Sequence, residues 1–275
     1  MFADATLAAE IDSAEGRLCA GIAQGAANNR PHLRPLVTPV AGGLVVYAGP
    51  GSPTNKGIGL ALSEPLVEVA LAAVEEEWRV RKEPLRIELS SLADPDAAAM
   101  LTARGYRLIG FENLLGRSLD GMEAPATPPA IDVAPLATAD EATWIDVTVD
   151  GFAQPDGSAA PHESFPRELL ESVFTDMACT DGYRRYMARI DGRPVGAASM
   201  RIDGSIAQLC GAATLGGYRR RGVQTALLDL RLAEAKKAGC TIAVVTTQPG
   251  SKSQANSQRR GFAILYTRVV LVRQW

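Results

Sequence analysis

The chain has 275 residues, of which 47% are apolar and 21% charged, and its formal net charge is −3. This length suits one large or two small domains, and the apolar share is enough for a sizeable core. A slightly acidic balance offers no basic surplus to nucleic acid or to an anionic membrane, so neither is expected as a partner and any anion site must be local.

The opening segment, MFADATLAAEIDSAEGRL, places acidic residues among its first ten and lacks the apolar centre of a signal peptide. Nowhere do about 18 uncharged apolar residues run together, so no membrane-spanning helix is expected and the protein is read as cytoplasmic. The four cysteines, Cys19, Cys179, Cys210 and Cys240, share no C-x-x-C spacing, and only His32 and His162 accompany them. A His/Cys metal cage is therefore not expected, and reduced structural thiols are the simplest reading. Gly57-Ile58-Gly59 is a lone Gly-x-Gly, better suited to a close backbone approach than to a nucleotide.

Between Leu119 and Ile131 the chain reads DGMEAPATPPA, a Pro- and Ala-rich run without apolar periodicity, as in an inter-domain connector. This divides the chain into residues 1–119, a linker at 120–130, and residues 131–275. After it come a helix over Ala139–Gly151, a polar loop with Pro155, Gly157 and Pro161, and a second helix over Ser164–Met177. Strands Tyr183–Ile190 and Val195–Ile202 follow, joined by Asp191-Gly192-Arg193-Pro194, whose Asp-Gly pair signals a hairpin. A third strand, Ser205–Leu215, leads into an arginine-rich loop that opens a helix.

That helix lines up Val223, Ala226, Leu227, Leu230 and Ala233 on one face, and Gly239 supplies a left-handed stop. Thr241–Thr246 is almost wholly apolar, as a parallel strand buried on both faces should be. A polar helix over Ser251–Arg260 ends at Gly261, and the strand Phe262–Arg273 closes the chain. A shift of 156 residues lays this ending on the first half: Thr241–Thr246 falls on Leu85–Ser90, Gly261-Phe262 on Gly105-Tyr106, and Arg273 on Arg117. The chain is thus read as a tandem repeat of one fold.

The chemistry concentrates in Gly216-Gly217-Tyr218-Arg219-Arg220-Arg221-Gly222-Val223-Gln224-Thr225. A helix N-terminus carries unpaired N–H groups and a positive dipole end, which after a strand and a glycine turn converge on an anion such as a pyrophosphate. Gly222 lets backbone and phosphate approach, and the arginines add forked donors. The bland alternative, a solvated basic turn, puts three cations at the positive end of a dipole with nothing to offset them. No Gly-x-x-x-x-Gly-Lys-Ser/Thr loop is present.

Arg219-x-x-Gly222-x-Gln224 resembles the cofactor motif of the GNAT acetyltransferase superfamily, and Asn256 followed by Gly261-Phe262 resembles its downstream Asn…Gly-Phe element. The resemblance covers about residues 131–275 and implies an α/β (α+β) fold of two GNAT-like domains, each a mixed, splayed sheet flanked by helices. It implies that acetyl-CoA enters a V-shaped gap between Ser205–Leu215 and Thr241–Thr246. Ala212, Ala213 and Thr214 would then pair with the pantetheine arm. Amides across Arg220, Arg221, Gly222, Val223, Gln224 and Thr225, with Arg219, would hold the pyrophosphate, and Asn256 would contact the pantetheine or thiol end.

Three departures from the family pattern matter, the first for the cofactor loop and the others for catalysis. Gln224 stands where Gly or Ala is usual, and Ser257 stands where many relatives have a tyrosine that protonates the thiolate. The fourth strand also lacks the glutamate that often acts as general base. No catalytic residue is therefore assigned; Asp156, His162, Glu163, Gln208 and Tyr266 are candidates, with Trp144 and Phe152 as candidate acceptor-pocket walls, and Arg184-Arg185 is read as a solvated strand face. Met100 falls at the position of Asn256, and Asn55-Lys56-Gly57-Ile58-Gly59 has no arginines, so the first copy is expected to have lost its cofactor site. The function expected is transfer of an acetyl group to a small-molecule amine by a monomer or homodimer. A non-catalytic CoA-binding or regulatory module and a plain nucleotide-phosphate binder stay open as alternatives.

Overall fold

A computed structural model describes residues 2–122, 131–153 and 165–275. In the first half, helix α1 (Ala5–Asn29) starts after Asp4, whose carboxylate accepts the Leu7 N–H at 2.9 Å. Strands β1 (Leu36–Val40), β2 (Gly43–Tyr47) and β3 (Lys56–Ile58), helix α2 (Glu68–Arg81), strand β4 (Leu85–Ser90), helix α3 (Pro95–Ala103) and strand β5 (Arg107–Ser118) follow. The second half holds β6 (Asp132–Pro135), α4 (Glu141–Ala153), α5 (Arg167–Met177), β7 (Tyr183–Ile190), β8 (Arg193–Asp203), β9 (Ile206–Gln208) and β10 (Ala212–Thr214). It ends with α6 (Val223–Lys237), β11 (Ile242–Thr247), α7 (Lys252–Arg259) and β12 (Ala263–Arg273).

The β7–β8 hairpin forms at its Asp-Gly pair. Asp191 and Gly192 take φ of +51° and +75°, and Ala41-Gly42 repeats the geometry at +49° and +75° between β1 and β2. Two consecutive left-handed residues match the right-handed twist of the flanking strands. The turn is tighter than the sequence suggests, because Arg193 and Pro194 already belong to β8, with Arg193 opposite Ile190. Gly105, Gly239 and Gly261 stop their helices at φ of +86°, +85° and +80°. Helix α6 is buried more widely than its apolar stripe implies. Asp229 and Arg231 are buried, whereas Leu230 and Ala233 are only half-buried.

The strands form one mixed sheet in the order β1-β2-β3-β4-β12-β5-β11-β9-β8-β7-β6, with β10 paired to β8. The flanking helices and the splayed sheet are those expected, but the halves do not close separately. Each lends its last strand to the other: β12 pairs with β4 through Arg268↔Ser90 to Arg273↔Leu85, and β5 pairs with β11 through Asn113↔Thr247 to Ser118↔Ile242. The two closing strands lie antiparallel in the centre, where Arg268 faces Glu112 and Val269 faces Phe111. Thr241–Thr246 was expected as a parallel strand; β11 is parallel to β9 on one side and antiparallel to β5 on the other. Such an exchange is invisible to a one-dimensional repeat, because the periodicity of a strand says which face is apolar and not which strand lies beside it.

Helix α1 lies across this junction and brings acids to it. Arg268, fully buried, donates to Asp12 and to Glu15 (2.6 Å), while Lys56 reaches Glu15 at 2.6 Å and Glu88 at 2.8 Å. Tyr266 also donates to Asp12, and Arg86 reaches Glu112 at 3.1 Å. A charge buried without a partner would be prohibitive, so this network specifies which strand lies beneath α1. Burial works against the charged form of Glu15, yet Arg268 and Lys56 hold its carboxyl well below the usual range. Burial, and then the Glu88 carboxylate, push Glu112 up to about 7, and burial also raises Asp12.

A carboxyl whose folded value is raised contributes stability below its unfolded value and loses that contribution as pH rises through its folded value. For Glu112 the loss runs from its ordinary 4.5 through about 7. Denaturant unfolding across that window is expected to show stability falling toward the alkaline end, and Glu112→Gln is expected to flatten the fall. An unchanged slope in the variant would remove Glu112 as a source.

Candidate functional site

The expected third strand, Ser205–Leu215, is in fact two short strands around a bulge. Arg201 faces Gln208, but Ala198 faces Ala212, so one extra residue sits on the β9–β10 side. Ser199 meets both halves of the insertion: its N–H donates to Gly211 O at 3.2 Å, and Cys210 N–H donates to Ser199 O at 3.1 Å. Gly211 takes φ of +71°, a left-handed geometry common at bulges. The isolated glycine inside an apolar run is the sequence signal for it.

The bulge opens the sheet. β9 and β11 stay parallel through Gln208↔Val244, with a last bond from Leu209 N–H to Val244 O at 2.9 Å. Beyond it β10 follows β8 and β11 follows β5, leaving a wedge between Ala212–Thr214 and Val245–Thr247. Two adjacent strands thereby turn away from each other, and the groups facing the wedge have no partner strand across it.

Helix α6 begins at the rim of that wedge. Its N-cap, Gly222, lies at φ of +90° and offers no side-chain cap, and its first turn holds no acid. By contrast Ser251 caps α7 by accepting the Gln254 N–H at 3.2 Å. The first-turn N–H groups of α6 thus retain their dipole and donor capacity. A Cβ at Gly222 would meet only Ile131 Cδ1 at 3.5 Å, so within the protein it is conformation, not space, that requires glycine.

The residues singled out by the motif converge here, with different roles. Arg219, half-buried, donates Nε to Thr214 O at 3.3 Å and Nη2 to Gly151 O at 3.3 Å, joining loop, β10 and α4. Arg220 and Arg221 are exposed; Arg220 has φ of +62°, and Arg221 lies over the Tyr218 ring at 5.4 Å. Gln224, the departure from the family pattern, donates to Thr214 Oγ1 at 2.9 Å and so ties the helix start to β10. Val223 is buried, packed so tightly on β8 that a Cβ at Gly196 would lie 2.5 Å from it. Ala213 and Thr214 are buried, and Ala212 and Thr225 half-buried. Asn256 is exposed on α7 with its Oδ1 accepting from Arg259.

The catalytic candidates scatter. Gln208 is buried and accepts from Arg201 at 3.1 Å. Tyr266 turns to Asp12 beneath α1, and burial pushes its phenol far above the ordinary range. Asp156, His162 and Glu163 lie outside the described residues. Trp144 is core, donating to Tyr186 O at 3.0 Å, whereas Phe152 is 46% exposed and its ring would touch a Cβ at Gly211 at 3.4 Å. Arg185 is ion-paired to Glu141 at 2.7 Å rather than merely solvated. Cys210, in the bulge, is half-buried, and burial pushes its thiol up to about 12, so it stays protonated at neutral pH. Sequence reasoning did not single out Asn113. The strand exchange sets it opposite Thr247, and its Nδ2 donates to Gln254 of α7 at 3.3 Å.

Among the described residues no group of three or more His, Cys, Asp or Glu side chains is placed to hold a metal, and no helix is long and apolar enough to cross a membrane. Residues 152–262 match the family model described as the acetyltransferase (GNAT) family. Among solved structures the chain is similar to a GCN5-related N-acetyltransferase from Kribbella flavida, at 19% identity and TM-score 0.64, covering 91% of this chain and 94% of that one. It is also similar to a tandem GNAT protein from the clavulanic acid biosynthesis pathway, at 17% identity and TM-score 0.61, covering 84% and 78%. A GCN5-related N-acetyltransferase from Sphaerobacter thermophilus matches at 14% identity and TM-score 0.57, covering 80% and 71%. At such identities the likeness shows the fold alone. No curated protein matches the sequence.

Gly222→Ala should cost about 1 kcal/mol through left-handed strain, whereas Gly217→Ala, where a Cβ would meet nothing within 4 Å, should cost little. Urea unfolding of the two variants compares them directly; equal stabilities would contradict the conformational account of Gly222.

Proposed function

We propose, from the match of residues 152–262 to the acetyltransferase (GNAT) family model, that the chain moves an acetyl group from acetyl-CoA to the amine of a small molecule. The observation that carries this reading is the bulge-opened wedge beside an uncapped helix start. The wedge can take an extended pantetheine arm with strand-like backbone pairing along Ala212, Ala213 and Thr214. The rim can take the pyrophosphate on the amides of Arg220–Thr225, with Arg219, Arg220 and Arg221 adding charge. Asn256 is proposed at the thiol end of the same groove.

In this reading the protein works chiefly by position. A neutral amine attacks the thioester carbonyl, the carbon–sulfur bond breaks, and the amine's proton leaves to a side chain or an ordered water. Backbone donors at the wedge stabilise the oxyanion. A second reading, a module that binds CoA without turnover, is favoured by two observations. Gln208, on the strand where a general base is expected, is held by Arg201, and Ser257 is buried.

We propose further that residues 1–119 and 131–275 are two copies of one fold joined by the linker at 120–130, and that the first copy has no cofactor site. Its β3 and β4 pair in the register of β9 and β11, with Ile58 opposite Glu88 as Gln208 is opposite Val244. Yet β2 and β3 run without a bulge, and only residues 59–67 separate β3 from α2, where residues 209–222 separate β9 from α6. Leu60, Ala61 and Leu66 in that short connection are buried, and Ala61 O accepts the Asp94 N–H at 2.9 Å, which bridges the position of the wedge. We take the working unit to be a cytoplasmic monomer or homodimer.

Calorimetry with CoA is expected to give one site per chain, and thiol release with an amine panel should report turnover. Reversing charge at Arg219 and Arg221 together should weaken CoA at least tenfold, about 1.4 kcal/mol, with circular dichroism unchanged. Unaltered affinity in that variant would sink the pyrophosphate reading; binding without thiol release across the panel would favour the non-catalytic one, and two sites would show the first copy to be competent.

A further inference from the structure

Arg231 lies on α6, two turns beyond the helix start, and only 4% of it is exposed. Among the described residues no carboxylate reaches its guanidinium. Its partners are all backbone carbonyls: Nε donates to Leu227 O at 3.1 Å, and Nη1 donates to Ser199 O at 3.0 Å and Gly211 O at 3.4 Å. Burial alone depresses this arginine to about 10. A lone buried cation is a costly way to fill a core position that an apolar side chain would fill better.

The two strand carbonyls it reaches are those of the bulge. Ser199 O already accepts from Cys210, and Gly211 O from Ser199, so the guanidinium adds a donor to both sides of the inserted residue. A bulge leaves a ladder locally disrupted, and its kink is kept only if the displaced groups are satisfied.

The first half of the chain provides an internal comparison. The shift of 156 residues that superposes α2 on α6 places Glu75 at the position of Arg231. Glu75 accepts from Arg104 at 3.0 Å and pairs with Arg273 at 2.6 Å, and as a carboxylate it has no N–H to offer a strand carbonyl. That half has neither bulge nor wedge. The arginine, the bulge and the opening therefore occur together, and all are missing together.

We infer that Arg231 is a positioning residue that holds the Cys210–Gly211 bulge, and through it the wedge between β10 and β11, in the shape that admits the acyl-CoA arm. The inference rests on the acyl-CoA reading of the wedge. It goes beyond that reading in giving the opening an internal support that touches neither substrate. The same helix begins at the proposed pyrophosphate site, so one rigid element sets the rim and the mouth of the groove in fixed relation.

The test uses the full chain with Arg231→Met, which keeps an unbranched apolar stem but loses every donor, and Arg231→Lys, which keeps the charge and one donor nitrogen but loses the Nε bond to Leu227 O that orients the head against both bulge carbonyls. Amide hydrogen exchange over residues 209–214 should quicken at least tenfold in Arg231→Met while β1–β3 amides stay as in the unaltered chain. Arg231→Lys should fall between the two. With acetyl-CoA, KM should rise at least tenfold in Arg231→Met with a smaller change in kcat, and Arg231→Lys should recover part of the loss. Unchanged exchange at 209–214 would overturn the inference, as would exchange that quickens equally throughout the sheet. If the unaltered chain binds no CoA, it is the acyl-CoA reading that fails, and the exchange pattern still decides whether Arg231 holds the bulge. Should Arg231→Met not fold, the exchange and KM of Arg231→Lys carry the same decision.

Discussion

Arg268 is fully buried on the strand that the second half lends to the first, and its charge is answered by Asp12 and Glu15 from α1. A guanidinium in that position tolerates no substitute neighbour, because leaving it unpaired would cost several kcal/mol. The pairing therefore fixes three things at once: which strand lies next to β4, where α1 crosses the sheet, and in which register the closing strands meet. Once β12 is committed to β4, β5 is the strand left to flank β11. The wall of the proposed groove is thus partly built by the first half of the chain, with Asn113 opposite Thr247 as the visible instance.

The wedge itself depends on a smaller device. One inserted residue between Gln208 and Ala212 turns β10 away from β11, and a left-handed glycine makes the turn possible. Arginines then serve three ends within one region. Arg219 ties loop to strand, Arg220 and Arg221 face solvent at the helix start, and Arg231 supports the bulge from within. Their chemistry is the same forked donor each time; burial and partner decide what it does.

The two halves share several local features and differ in one connection. Hairpin turns, the register of the parallel pair, and the Gly-aromatic entry to the last strand are common to both. What differs is a few residues of connection, apolar and buried in the first half, basic and open in the second. A short loop that hydrogen-bonds across the strand ends needs no ligand to satisfy its backbone. A long one leaves donors exposed.

Much of this was legible in the residues themselves. Helix ends at Gly239 and Gly261, the Asp-Gly hairpin, the arginine loop after a strand, and the match of Leu85–Ser90 to Thr241–Thr246 are local matters, set by backbone freedom and by periodicity within a few residues. The tertiary structure alone decided what depends on partners far away in the chain. The sequence read Ser205–Leu215 as one strand because Gly211 hints at an irregularity without saying against which neighbour an extra residue falls. It offered Tyr266 as a candidate acid because nothing nearby in the chain announces Asp12, 254 residues away. It could not show that the closing strands trade places, since the carboxylates that answer Arg268, on Glu15 and Asp12, lie 253 and 256 residues away in the chain.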